Sequence, residues 1–208
     1  PAARLQGISM MLHDVPAAAI TAIVYGAGDD VDPLLQQIAA HLSVRGAKLC
    51  GFVQHNQPLV ARGHCDMVLE ELASGASIAI TQDLGAGARG CRLDVGELLR
   101  AMALATAALA TGPDLLVINR FGKTEAEGGG VRPLIADAVD RGIPVLIAVP
   151  WRNIASWRVF AGELAVEFGF GDLPVDPAAA CRLLGLAPLT DRHPAGVASA
   201  TSEPAPPS

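Results

Sequence analysis

Two glycine-rich stretches that also carry cations are the first candidates for chemistry. They span residues 85–92 and 121–130. Glycine lets successive backbone N–H groups converge on a ligand, and arginine or lysine adds positive charge, so such stretches suit an oxyanion. The candidate ligand-binding residues within them are Arg89, Gly90, Cys91, Arg92 and Lys123. The alternative, that both stretches are ordinary mobile connectors, stays open.

Further side chains are candidates for catalysis and for metal binding. Lys123 could contact a phosphate while Glu125 or Glu127 acts as a base or metal ligand, which makes these three residues the catalytic candidates. Solvated carboxylates paired with Lys123 are the alternative. The run His64-Cys65-Asp66 combines soft and hard ligand atoms and is the candidate metal site, although nothing in the sequence brings it together with Cys91.

The loop that begins at Gly26 sits where a phosphate-binding Walker loop, G-x-x-x-x-G-K-[ST], would sit. Val31 stands at the position of the second glycine, Asp32 at that of the lysine and Pro33 at that of the hydroxyl residue. The aspartates of this loop repel the phosphates that a lysine attracts, so ordinary Mg-ATP binding is disfavoured. Gly26 and Gly28 stay candidate ligand contacts. Alternatively, Asp32 only caps a helix that has proline in its first turn.

A second inversion of charge follows the apolar run that ends at Ile118. The corresponding strand of a phosphate-loop nucleoside triphosphatase ends in acidic residues that hold the metal ion, whereas Asn119 and Arg120 stand here. The guanidinium of Arg120 suits an oxyanion. An internal ion pair between Arg120 and Asp32 is the alternative.

Alternating apolar runs and amphipathic stretches predict a βαβ chain order, and therefore an α/β fold with a mainly parallel sheet. Strands are predicted at residues 20–25, 49–53, 114–118 and 145–149, with an inserted antiparallel hairpin over 67–81. Helices are predicted at residues 32–46, 94–110 and 131–141, around Trp157 and after Asp176. Residues 119–130 are predicted to form a long polar loop.

Ligands of open parallel sheets bind beyond the carboxyl ends of the strands. Polar residues follow the predicted strands at 26–32, 54–57, 119–127 and 152–153. Gln54, Asn119 and Arg120 are therefore further candidate contacts. Polarity that serves only solvation is the alternative.

The remaining cysteines and the tryptophans predict core positions. The four cysteines form no CxxC pair and are expected to be free thiols. Cys50 and Cys181 lie in apolar surroundings, which indicates burial. Trp151 and Trp157 are expected to be packing residues, with ligand stacking as the alternative.

Composition limits the classes of partner. The chain is 51% hydrophobic and 17% charged, with a formal net charge of −6 and no basic runs, which argues against nucleic-acid binding. No apolar stretch reaches the roughly 20 residues that a membrane span needs. The start lacks the pattern of a secretory signal, so we expect a cytoplasmic location. Residues 1–18 are expected to be an extension, 19–187 one α/β domain and 188–208 a disordered tail.

Several of these segments together resemble known families. Residues 114–125, with Gly122, Lys123 and Glu125, are similar to the second motif strand of the small thermophile-type nucleoside triphosphatases. The segments 87–94 and 119–128 resemble a related bacterial family of unknown function, often labelled molybdenum-transport-associated. The resemblance covers about residues 20–160 and implies a P-loop-NTPase-like three-layer fold.

Two functions stay open. In the first, the chain is a cytoplasmic P-loop-like protein with degenerate Walker motifs that binds an oxyanion, molybdate or tungstate, as an accessory of molybdenum handling. In the second, it is a nucleoside triphosphatase or phosphotransferase with a non-standard phosphate loop. The ligand is then an oxyanion or a nucleotide. The sequence leaves a homo-oligomer open.

Overall fold

The computed structural model describes residues 19–58, 65–82, 92–187 and 189 of the chain. The expected extension at residues 1–18 lies outside this part, as does the expected disordered tail apart from Leu189. The structure shows an α/β fold with a mainly parallel sheet and helices on both faces, as the sequence predicts.

Within the described ranges, seven strands form the main sheet: β1 (Ile20–Tyr25), β2 (Leu49–Pro58), β3 (Cys65–Glu71), β4 (Ser77–Ala79), β7 (Leu115–Ile118), β8 (Val145–Pro150) and β9 (Ala165–Gly169). Their order in the sheet is β4-β3-β2-β7-β8-β1-β9. A separate two-stranded sheet joins β5 (Thr81–Gln82) to β6 (Arg92–Leu93). The pairs of β1 with β8 and β9, and of β7 with β2 and β8, are parallel, whereas β3 pairs antiparallel with β2 and β4.

Six α-helices cover the two faces of the sheet. They are α1 (Asp32–Val44), α2 (Val95–Leu109), α3 (Lys123–Ala126), α4 (Arg132–Asp140), α5 (Ile154–Ala161) and α6 (Pro177–Leu183). Helices α1 and α6 contribute buried side chains to one apolar cluster, and α2, α4 and α5 contribute to the other. The sheet therefore lies between two helical layers.

The centre of the sheet is apolar on both faces. Every residue of β7 and β8 is buried, which the uninterrupted apolar runs of these segments predict. Gly51 allows β2 to approach β7 closely, because a Cβ on Gly51 would collide with the carbonyl oxygen of Val117. The backbone of Gly51 also has φ of +94°, which favours glycine.

Helix α2 begins where the sequence predicts. The carboxylate of Asp94 accepts hydrogen bonds from the backbone N–H groups of Gly96 at 2.9 Å and Glu97 at 3.1 Å. These two groups have no partner within the helix, so Asp94 is a stabilising N-cap.

Three element predictions are wrong. Residues 54–57 are not a loop but continue β2, because their backbone pairs with β3 whatever the polarity of their side chains. The segment 119–130 contains the short helix α3. Strand β9 is missing from the prediction, since it is a five-residue edge strand that is only partly buried and has no full apolar run.

Among the described residues, none of the helices combines the length and the apolar character that crossing a bilayer requires.

Candidate functional site

A buried carboxylate lies at the carboxyl edge of the sheet. Asp32, the first residue of α1, is 4% exposed. Its Oδ1 and Oδ2 accept hydrogen bonds from Nη2 of Arg120 at 2.8 and 3.1 Å. Arg120 follows β7, so the structure forms the ion pair between the two inverted motif positions.

Two amide side chains complete the surroundings of Asp32. Gln54 Nε2 donates to Asp32 Oδ2 at 3.3 Å, and Asn119 Nδ2 donates to Asp32 Oδ1 at 3.3 Å. Gln54 and Asn119 also bond each other. Asn119 Nδ2 donates to Gln54 Oε1 at 3.4 Å, and the backbone N–H of Gln54 donates to Asn119 Oδ1 at 3.1 Å. A buried charge is tolerated when it is paired and hydrogen-bonded in this way. We call Asp32, Gln54, Asn119 and Arg120 the edge network.

The prediction that Asp32 caps α1 is wrong. The N-cap is Val31, which makes no side-chain cap bond, and Asp32 lies in the first turn with Pro33. A carboxylate in the first turn still interacts favourably with the helix dipole. Arg120 and the two amides offer Asp32 hydrogen-bond donors across the sheet edge, which is why its side chain faces them rather than its own helix.

The loop between β1 and α1 is held closed by its own acidic residue. The N–H of Gly26 donates to Asp29 Oδ2 at 2.7 Å, and the N–H of Asp29 donates back to the Gly26 carbonyl at 3.3 Å. A phosphate-binding loop needs such N–H groups for its ligand. Here a carboxylate takes the N–H of Gly26, while Gly28 lies in the exposed part of the loop.

Arg120 retains hydrogen-bonding capacity. Both of its bonds to Asp32 come from Nη2, and its Nε is buried with no hydrogen-bond partner in the part of the chain that the structure describes. The side chain is 34% exposed, so the guanidinium also reaches the surface. A buried N–H donor of a cation lowers stability when it has no acceptor. A further acceptor beside Arg120 is therefore favourable.

Tyr25 and Arg152 lie next to this network and were not among the predicted contacts. Burial is the main cause that raises the pKa of the Tyr25 phenol; the charges of Arg120 and Arg152 lower it, and that of Asp32 raises it. The phenol therefore lies within electrostatic reach of two arginines. The sequence signal that could have identified both residues is their position at strand ends. Tyr25 is the last residue of a predicted strand, and Arg152 belongs to the predicted polar stretch 152–153.

Glu125 is buried and bonded to the backbone of its own loop. Its Oε2 accepts from Gly122 N at 2.8 Å and its Oε1 accepts from Val131 N at 3.0 Å. A Cβ on Gly130 would collide with this carboxylate. Glu125 thus organises the turn between β7 and α4.

The other two catalytic candidates lie on the surface of α3. The side chain of Lys123 is 86% exposed and that of Glu127 is 66% exposed, with 3.7 Å between Nζ and Oε1. Neither residue makes a described contact with the edge network. Of the predicted site residues, the structure brings Gln54, Asn119 and Arg120 together.

Several predicted residues lie outside the described part of the chain. They are His64, Arg89, Gly90 and Cys91, together with the side chains of Cys65, Asp66 and Arg92. Within the described ranges, no group of three His, Cys, Asp or Glu residues is placed to hold a metal ion.

The remaining cysteine and tryptophan predictions are partly right. Cys50 and Cys181 are free and buried, and burial raises their thiol pKa to about 12 and about 11. Trp157 is fully buried, as predicted. Trp151 is 61% exposed, so its prediction as a packing residue is wrong. It follows the end of β8 at the sheet edge, where the second helical layer does not cover it.

Comparisons with known proteins identify the family of the chain. The family described as "Protein of unknown function (DUF2478)" matches residues 20–175, and the chain belongs to this family. The chain is 40% identical over 145 residues to "Molybdenum import ATP-binding protein ModC 2" of Bradyrhizobium diazoefficiens. The match covers 70% of this chain but only 16% of that relative. No solved structure matches the chain significantly.

Proposed function

We propose that this member of the DUF2478 family binds a tetrahedral oxyanion, molybdate or tungstate, at the edge network, as a cytoplasmic accessory of molybdenum handling. The observation that carries the proposal is the Arg120 guanidinium, which is 34% exposed, bonds Asp32 through Nη2, and has an Nε without a hydrogen-bond partner among the described residues. A guanidinium presents its donors in a planar fork that matches an oxyanion. An anion reaches the exposed part of this guanidinium and shares it with Asp32.

The same edge disfavours a nucleoside triphosphate. Asp32 occupies the position at which a Walker loop has its lysine, and it is buried against Arg120. Asp29 takes the N–H of Gly26. A triphosphate would have to displace one carboxylate and approach the other, without a lysine to offset the repulsion. The domain is therefore proposed to retain the P-loop-like fold and to have lost the hydrolytic function.

A small oxyanion meets less opposition than a triphosphate does. Arg152 is exposed, and its charge acts on the Tyr25 phenol together with that of Arg120. Two guanidinium groups therefore lie within electrostatic reach of the Tyr25 phenol at this edge. Charge-assisted bonds from such groups are about twice as strong as neutral ones. An anion bound there competes with Asp32 for Arg120.

The named relative supports the biological setting of the proposal. Its name concerns molybdenum import and ATP binding. The chain spans 16% of that relative, which is therefore several times longer than the matched segment. We propose that the shared segment serves the molybdenum side of that name, because the segment in this chain has neither the lysine nor the acidic strand end of an ATP site.

Calorimetric titration with molybdate, sulfate and Mg-ATP in the same salt tests the proposal. We expect saturable molybdate binding, weaker sulfate binding and no heat from Mg-ATP. Arg152→Ala should weaken molybdate binding by about ten-fold, because one charged hydrogen bond is worth roughly 1.5–3 kcal/mol. Arg120→Lys should weaken it as well, because a lysine keeps the charge towards Asp32 but loses the fork.

Arg141→Ala is the matched control, since it removes the exposed arginine that directly follows α4 and pairs with Asp137. It should leave molybdate affinity unchanged. Molybdate binding that is equal in all variants would contradict the proposal. Mg²⁺-dependent phosphate release that is lost in Lys123→Ala would instead establish the nucleoside triphosphatase.

A further inference from the structure

We infer that a cleft beside the edge network binds a flat heteroaromatic ring, so that the site takes a planar heterocycle that carries one short tetrahedral oxyanion group. This inference rests on the proposed oxyanion site and specifies the class of ligand that uses it. It is carried by the volume of the cleft, its aromatic residues and its charge.

The cleft lies at the carboxyl ends of β1, β8 and β9. It has a volume of about 370 Å³ and is lined by Val24, Tyr25, Gly26, Trp151, Glu167, Phe168 and Gly169. This volume falls in the range of small-molecule pockets, which are commonly lined by apolar and aromatic side chains with a few polar groups. A ring of one to three fused cycles is of matching size.

Trp151 is the exposed aromatic residue of the cleft. Trp151 is 61% exposed, whereas Trp157, six residues later, is fully buried. No ring contact involves Trp151 among the described residues. The short 3-10 helix that carries it (Trp151–Asn153) is anchored, because Asn153 Nδ2 donates to the Phe121 carbonyl at 2.8 Å. An exposed indole on an anchored stretch of backbone is suited to stacking a flat ring.

The charge of the cleft permits such a ligand. Glu167 lines the cleft, but Arg158 binds its carboxylate through Nη2 at 2.7 Å and Nε at 3.1 Å. This pairing offsets the repulsion that a free carboxylate would exert on an anionic ligand. Gly26 and Gly169 present backbone without a side chain to the ligand.

Tyr25 connects the cleft to the edge network. It lines the cleft, and its phenol is within electrostatic reach of Arg120 and Arg152. A substituent on a ring stacked in the cleft therefore extends past Tyr25 towards the two arginines. Since Asp29 and Asp30 follow in the same loop, a longer anionic tail would meet negative charge, and a single short oxyanion group is favoured.

Binding of small probes to the full chain tests the inference. The probes are flavin mononucleotide and adenosine monophosphate, with riboflavin, adenosine and inorganic phosphate as the separate halves. At least one of the two phosphorylated probes should bind ten-fold or more tightly than its ring alone and than phosphate alone. Molybdate should displace that probe. The preference between the two probes reports whether the cleft takes a purine or a larger ring.

Substitutions at Trp151 separate stacking from charge. Trp151→Ala should weaken binding of the preferred probe by about ten-fold, because stacking on an aromatic side chain is worth roughly 1–3 kcal/mol. Trp151→Phe should retain most of the affinity. Val159→Ala, on an 87% exposed residue of α5, is the control and should change nothing.

The outcomes distinguish the two proposals. If molybdate binds but the phosphorylated probes bind no better than phosphate, the ring site is wrong and the oxyanion site stands. Unchanged probe affinity in Trp151→Ala also overturns the ring site. If neither molybdate nor phosphate nor any phosphorylated probe binds, both proposals are wrong.

Discussion

Asp32 and Arg120 are 88 residues apart in the chain and meet at 2.8 Å between Oδ1 and Nη2. The sequence comparison with a Walker loop predicts the opposite charge at each of these two positions. In the structure the carboxylate and the guanidinium at these positions form an ion pair. Gln54 and Asn119 surround the pair and make it part of the folded core of the sheet edge.

Breaking this pair should cost stability. Arg120→Ala leaves the Asp32 carboxylate buried without its cation, and we expect the free energy of unfolding to fall by about 2–3 kcal/mol, less than for a fully buried pair because Arg120 is partly exposed. Urea denaturation measures the change. In the double variant Asp32→Asn/Arg120→Ala much of the loss should be recovered, whereas additive losses would show that the pair is not coupled.

Restoring the Walker lysine alone should not restore nucleotide binding. In Asp32→Lys the new ammonium faces Arg120 in a buried position, so we expect a large loss of stability and no Mg-ATP hydrolysis. Pro33 also lacks the hydroxyl that would hold Mg²⁺, and Asn119 lacks a charge. A phosphate-release assay checks this prediction. Activity in the single variant would mean that the loop can still adopt a phosphate-binding conformation.

Substitution of Glu125 should lower the free energy of unfolding much more than substitution of Lys123. Glu125→Ala removes the acceptor of two backbone N–H groups, those of Gly122 and Val131, and we expect a loss of about 1–3 kcal/mol. Lys123→Ala should stay within about 0.5 kcal/mol, because its contact with Glu127 is long and exposed. Thermal unfolding compares the two variants. Faster hydrogen exchange at Gly122 and Val131 in Glu125→Ala would locate the effect in the turn.

The two buried thiols should be unreactive in the folded protein. Burial raises the thiol pKa of Cys50 to about 12 and that of Cys181 to about 11, from the ordinary value of 9.0. At pH 8 we expect alkylation of both only after denaturation, as mass spectrometry would show. Rapid modification of either thiol in the native protein would contradict its described burial.

The same shifts predict a dependence of stability on pH. Below pH 9.0 such a thiol is protonated in both the folded and the unfolded state, so its ionisation does not lower the free energy of unfolding. As the pH rises above this value the unfolded chain loses the proton first, so stability falls through the window up to about pH 11–12. Unfolding of Cys50→Ala or Cys181→Ala against pH should show a shallower fall.

Much of the fold follows from local sequence. The uninterrupted apolar runs of β7 and β8 predict buried parallel strands, and Asp94 predicts the start of α2. Such signals are readable because a central strand buries every residue and a helix start needs a short side-chain acceptor. Strand β9 and the continuation of β2 carry no such signal, because pairing through the backbone is indifferent to side-chain polarity.

The sequence by itself determined which chemical groups stand at the sheet edge and that two motif positions carry inverted charge. It left open whether Asp32 caps a helix or pairs with Arg120, since both use the same carboxylate. Only the tertiary structure decided for the pair, because parallel strands bring the ends of β1 and β7 to one edge although they are far apart in the chain. The exposure of Trp151 likewise depends on where the helical layer stops covering the sheet, which no residue type specifies.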